Sequence, residues 1–285
     1  MSAIYDAVTN AVLKALESGV VPWRKPWDPC HALPANAVTN RPYRGVNVFL
    51  LGMAPYKDYR WLTVKQANEL GGTVRKGERS SMAIFWKLWE TEPEETDHAV
   101  RKVPVLRYYT LFNVEQCDGL DLAEPYQSPP LDDVERCARA QLLVDGMPDP
   151  PTITERGHSA WYKPAEDLVQ VPKREAFCSL DHYFATLFHE LGHATGHERR
   201  LNRKGVQGPI QFGSEDYSQE ELVAELTSAF CCATVGLNNS LIGDVASYVS
   251  GWLRVLRDDP KAVVIAAAQA QKAADLIRGV EYSNS

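Results

Sequence analysis

The chain has 285 residues, 45% hydrophobic and 24% charged, with a formal net charge of −7. It is long enough for two domains and has the composition of an ordinary globular protein. No apolar run reaches the roughly 18 residues needed to cross a bilayer, which excludes helical membrane proteins. The six cysteines are scattered and form no C-x-x-C pair, which argues against a cysteine metal site.

Met1 to Asp6 lacks a basic segment followed by an apolar one, so a reduced, cytoplasmic setting is expected. Ile4, Ala7, Val8, Ala11, Val12, Ala15 and Leu16 recur at helical spacing, and Gly19 ends that helix. Residues 22–45 hold five prolines and read as an irregular, extended segment. Thr63-Val-Lys-Gln66 forms a capping box for a short helix closed by Gly71-Gly72. Residues 81–89 and 103–114, rich in aromatic and β-branched types, read as strands. Between them Glu92, Glu94, Glu95 and Asp97 mark an acidic loop. Residues 123–130 read as a linker, 131–145 as a helix and 152–171 as short strands. Helices are expected at about 179–195, 217–235, 241–257 and 260–279.

Charge is unevenly spread. Residues 22–89 contain 11 Lys/Arg and 4 Asp/Glu, a net of +7, so the remainder carries −14. The same stretch holds five of the seven tryptophans: 23, 27, 61, 86 and 89. Basic residues interleaved with indole rings are the footprint of a single-strand binder, in which bases stack on rings and cations follow phosphates. The competing reading is that the rings are core and the charges a solvated surface. Trp61 is expected to be core. The candidate DNA contacts are Trp23, Arg24, Lys25, Trp27, Arg41, Tyr43, Arg44, Lys65, Gln66, Arg75, Lys76 and Arg79. Gly71, Gly72 and Gly77 would let a phosphate approach the backbone.

The chemistry-bearing motif is His189-Glu-Leu-Gly-His193. Residues four apart share one helical face, so both histidines can hold one metal, and Glu190 can take a proton from water. Phe184, Leu187, Phe188 and Leu191 give this helix an apolar face, Ser179 or Asp181 could cap it, and Gly196 could end it. A third ligand is expected from Glu221 or Glu225, one turn apart on a helix whose Leu222, Leu226 and Ala229 face the core. The acid that does not ligate could receive a histidine N–H. The spacing cannot choose between the two acids, and similarity to thermolysin-like zincins in order and one-turn separation leans only slightly towards Glu221. His197 is a rival ligand, separated by Gly196. The donor set favours Zn2+, although Mn2+ could occupy it. Tyr217 is a candidate oxyanion stabiliser by sequence proximity.

Further stretches carry a resemblance to a known family. They are Asn40-Arg-Pro-Tyr-Arg-Gly-Val-Asn-Val48, Trp61-Leu-Thr-Val-Lys-Gln66, Gly71-Gly-Thr-Val-Arg-Lys-Gly-Glu78 and Tyr109-Thr-Leu-Phe-Asn-Val-Glu-Gln116. In the C-terminal half they are Phe188 to Gly196, Arg200-Leu-Asn-Arg203 and Glu221-Leu-Val-Ala-Glu225. Together, over nearly the whole chain, these resemble the ArdC-type antirestriction proteins of conjugative plasmids. The C-terminal part also resembles the antirestriction-like region of plasmid primases. The resemblance implies an α+β, two-domain protein. A mixed α/β domain at 1–127 would bind single-stranded DNA. A mainly helical zincin-like metallopeptidase domain with a small sheet would occupy 128–285. It implies protection of incoming plasmid DNA from host restriction. The alternative is an active zinc metalloprotease that cleaves DNA-associated host proteins, a restriction enzyme among them, with the N-terminal domain serving only to target it.

Overall fold

A computed structural model describes residues 2–24, 33–90, 102–125, 131–206, 215–238 and 245–280. The expected acidic loop lies outside the described residues, as do most of the linker and the candidates Lys25 and Trp27.

The first helix, α1, runs Ser2–Glu17, and Gly19 follows it with φ of 80°. A 3-10 turn (Pro22–Arg24) and the short strand β1 (Ala35–Asn36) lead into α2 (Val46–Gly52). No element is expected from the sequence at residues 46–52, where this second helix lies. Its run of Val, Phe and Leu has no polar face and no side-chain cap, so helical periodicity is invisible, and burial rather than propensity holds it. Next come β2 (Arg60–Leu62), α3 (Val64–Glu69) and β3 (Thr73–Val74). The Thr63/Gln66 capping box opens α3 as its spacing predicts. β4 (Ser81–Glu90) and β5 (Lys102–Asn113) form a long antiparallel ribbon, and β6 is Cys117–Asp118. A four-stranded sheet has the order β1-β2-β5-β4, and β3 pairs with β6.

After the linker, α4 (Asp133–Asp145) starts with an Asp132/Glu135 capping box. Strands β7 (Thr152–Glu155), β8 (Trp161–Lys163) and β9 (Leu168–Val171) form a second sheet in the order β7-β9-β8. β9 is central and wholly buried, and it packs against α5 (Leu180–Ala194). The remaining helices are α6 (Glu215–Val235), α7 (Val245–Asp258) and α8 (Ala262–Ile277). The architecture is α+β, as expected. No helix among the described residues is long and apolar enough to span a membrane.

The largest hydrophobic cluster joins both sides of the expected domain boundary. Val8 and Val12 of α1 and Phe49 of α2 share it with Leu187 of α5, Leu226 of α6 and Ala270 of α8. At its centre Trp23 meets Trp252 edge-on at 5.2 Å and Phe49 at 6.2 Å, while Phe49 stacks on Phe230 at 5.0 Å. Trp23 is 0% exposed, which corrects its assignment as a DNA contact: its faces are spent on protein aromatics and cannot take a base.

A second link fixes the end of α5. Arg200 donates from Nε to the Ala194 carbonyl at 2.8 Å and pairs with Asp167, whose other hydrogen bond comes from the Tyr162 hydroxyl at 2.9 Å. This clamps the helix terminus to the turn before β9. Burial alone would raise the Asp167 carboxyl, but the Arg200 and Tyr162 hydrogen bonds win and hold it below its usual range.

Two outcomes follow for stability. Trp23→Ala should lower the unfolding free energy by about 3–5 kcal/mol in urea titration, the cost of truncating a buried aromatic. Asp167 has a depressed folded-state pKa, so its contribution is complete above the ordinary carboxylate range and is lost as pH falls through the folded value. Melting temperatures of Asp167→Asn and wild type should therefore differ at neutral pH and converge in acid.

Candidate metal centre

The site is built where α5 crosses α6. Ser179 caps α5 by accepting from the His182 amide, which settles the choice between Ser179 and Asp181. The helix ends at Ala194 with Thr195 as its C-cap, so His197 falls beyond it; the ring Nδ1 of His197 faces the Arg199 amide at 3.3 Å. Gly192 sits at the crossing. A Cβ there would lie 3.0 Å from Ala224 Cα and 3.2 Å from Thr227 Cβ, so only glycine lets the two helices approach this closely.

That approach brings His189, His193 and Glu221 together as one cluster able to hold an ion. His189 Nε2 lies 3.4 Å from one Glu221 oxygen and His193 Nε2 lies 3.5 Å from the other. Glu225 instead faces Nδ1 of His189 at 3.5 Å. It is placed to orient that imidazole rather than to supply the third ligand. Glu220, which sequence reasoning missed, stands in the same relation to His193, 3.5 Å from its Nδ1. Adjacent positions on a helix point to different faces, so Glu220 looked like an outward neighbour of Glu221. Both carboxylates nonetheless face α5, Glu220 against Nδ1 of His193 and Glu221 between the two Nε2 atoms.

Each orienting carboxylate is itself held by a buried arginine. Arg24 Nε donates to Glu225 at 2.6 Å. Arg203 Nε donates to Glu220 at 3.1 Å, and its other nitrogens reach the Thr195 hydroxyl and the Gly192 carbonyl, each at 2.7 Å. Gly196 leaves room for this: a Cβ there would meet Arg203 at 3.0 Å and Val206 at 2.4 Å. Arg24 thus contributes to the metal centre, and its earlier reading as a phosphate contact is corrected by its burial and its bond to Glu225.

The electrostatics fit a divalent cation. Glu190, Glu220, Glu221 and Glu225 are all buried, against two arginines. With neutral imidazoles this leaves two uncompensated negative charges at a cluster of two nitrogens and a carboxylate, a donor set suited to zinc or manganese. The titration of the groups reflects the same excess. Burial favours neutral His189, but hydrogen bonds to Glu221 and Glu225 outweigh it and raise its pKa well above the ordinary value. Burial would raise Glu221, yet the His189 hydrogen bond, the charges of both histidines and a Tyr217 hydrogen bond hold it at about 2. Tyr217, the oxyanion candidate, therefore touches a candidate ligand carboxylate. Glu190 is pushed up by burial, with the histidine charges only partly opposing.

The other candidate DNA residues are divided by the fold. Tyr43 is buried, which corrects its reading as a DNA contact, and Trp61 is core as expected. Arg44 pairs with Asp275, and Arg75 with Glu78 and Asp118. Lys65 is exposed beside Glu69, and Gln66 is used by its capping box. Arg41, Lys76 and Arg79 are exposed and enter no ion pair among the described residues.

Residues 2–112 match the family described as the N-terminal domain of anti-restriction factor ArdC, and residues 149–269 match the zincin-like metallopeptidase family. The metal-free crystal structure of the antirestriction ArdC protein from plasmid R388 is 34% identical, with a TM-score of 0.79 over 98% of this chain and 99% of that one. The chain belongs to the ArdC family of antirestriction proteins. The Mn(II)-bound structure of the R388 protein, also 34% identical, covers 96% of this chain and 97% of that one with a TM-score of 0.78. Protein y4eC of Sinorhizobium fredii, uncharacterised, is 36% identical over 95% of this chain and 90% of its own length. DNA primase TraC of Escherichia coli is 36% identical over 97% of this chain, which spans only 20% of the primase.

Glu220→Gln should weaken divalent-metal binding by about 10–100-fold, the usual cost of removing a carboxylate behind a ligating histidine. Competition against a chromophoric chelator reads this directly. Wild-type affinity in the variant would mean that Glu220 does not orient His193.

Proposed function

We propose that this protein binds single-stranded DNA without sequence preference through its N-terminal half and protects incoming conjugative plasmid DNA from host restriction. The C-terminal half holds a divalent metal centre with the arrangement of a peptide hydrolase. The observation that carries the reading is the likeness to an antirestriction protein over 98% of the chain, with the ion-holding cluster assembled within it. The basic, aromatic-rich character of residues 22–89 supports the single-strand part.

His189, His193 and Glu221 would hold the cation. When bound, it supplies Lewis acidity that activates water and polarises a carbonyl. Glu190 accepts the proton of the attacking water and returns it to the leaving amine. Burial is the first cause that pushes its carboxyl up, the direction that makes it a stronger base. Glu225 and Glu220 keep the two rings with Nε2 directed at Glu221.

The placement of Glu190 beside the ligands favours a second reading, in which hydrolysis of DNA-associated host proteins is the protective act. Plasmid transfer into a restricting host, with wild type and Glu190→Gln at matched levels, separates the two. Equal protection is the expected outcome if shielding of DNA carries the function. Loss of protection by a variant that still folds, binds metal and binds single strands would assign the function to peptide hydrolysis.

A further inference from the structure

We infer that single-stranded DNA stacks on one face of the β4–β5 ribbon, on Phe85 and Tyr109, with Arg107 beside them. The inference rests on the single-strand reading above and gives it a surface, two of whose three residues lie beyond the basic stretch that suggested it.

Register places the three side chains together. Phe85 is opposite Arg107 and Ala83 is opposite Tyr109, so all of these share one face of the ribbon. Phe85 is 39% exposed and Tyr109 46%. The rings are held despite their exposure: Phe85 meets Tyr109 edge-on at 5.2 Å and buried Tyr43 at 6.1 Å. A row of three rings anchored by its innermost member is pre-ordered, so little side-chain entropy is lost when a base lands on it. Arg107 is exposed and enters no ion pair among the described residues, and the same holds for Arg41, two residues before Tyr43. An exposed guanidinium beside fixed rings matches a strand whose bases stack while its phosphates pair with cations.

The opposite face discriminates. It carries the more exposed Trp86 (52%) and Tyr108 (57%), but their register partners are the apolar Leu106 and Ile84. Neither partner is a cation, and further along that face the one basic position, Lys102, lies opposite the acid Glu90. Charge complementarity therefore selects the Phe85 face. A duplex hides its base faces, so the surface is matched to unpaired strands.

The test is fluorescence anisotropy of the full chain with a labelled oligothymidylate of about 16 nucleotides across a salt series. Phe85→Leu with Tyr109→Leu keeps apolar bulk on Tyr43 but removes both π faces, and should weaken binding about tenfold or more. Trp86→Leu with Tyr108→Leu should change it by less than about twofold. Arg107→Ala should reduce the slope of log affinity against log salt by about 0.7. A base-free sugar–phosphate oligomer should bind wild type and the Phe85/Tyr109 variant equally.

If wild type binds the oligomer and the loss follows Trp86 and Tyr108, or neither pair, the assigned face is overturned while the single-strand reading stands. If wild type does not bind it, that reading falls and this inference with it. Should the double variant fold poorly, Arg107→Ala decides on an exposed side chain, and an unchanged salt slope overturns the assignment.

Discussion

The close crossing of α5 and α6 at Gly192 is the constraint on which the site depends. A Cβ there would stand 3.0 Å from Ala224 Cα and 3.2 Å from its carbonyl oxygen, so a larger residue would need a few tenths of an ångström of give between the helices. The distances between the two histidines and Glu221 are set by that separation. The glycine inside the H-E-x-x-H pattern is therefore a spacing element, although as a helix-interior residue it costs about 1 kcal/mol in propensity. The rest of α5 is organised to tolerate this: Ser179 closes one end and Arg200 satisfies a carbonyl at the other.

Burying four carboxylates beside two imidazoles is unfavourable unless countercharge is supplied. Two arginines supply half of it from opposite directions, Arg24 from the N-terminal segment and Arg203 from the turn after α5. The remaining excess suits the cluster to a dication. Chain order conceals this symmetry. The two arginines are 179 positions apart, yet each holds the acid behind one candidate ligand histidine.

Much of this was legible in the sequence because it is local. The four-residue histidine spacing, the capping box at Thr63 and the β-branched runs of the ribbon each encode their element within a few residues. Glu221 and Glu225 could be proposed together but not told apart, because an i, i+4 pair fixes a face and not a depth. The roles of Trp23, Arg24 and Glu220 were illegible, since each depends on a partner far along the chain. Basic and aromatic composition pointed to residues 22–89, but it could not say that Trp23 was covered by Trp252 or that Arg75 was already bound to acids.

The bond from Arg24 to Glu225 has a consequence for how this protein can be divided. A fragment starting after the linker would keep all three candidate ligands yet lose a guanidinium that offsets their charge, along with the α1, α2 and Trp23 surfaces that complete the core. The autonomous module is thus larger than the zincin-like match at 149–269. The similarity to a primase five times longer extends over 97% of this chain, both halves included, as would be expected if neither half is portable without the other.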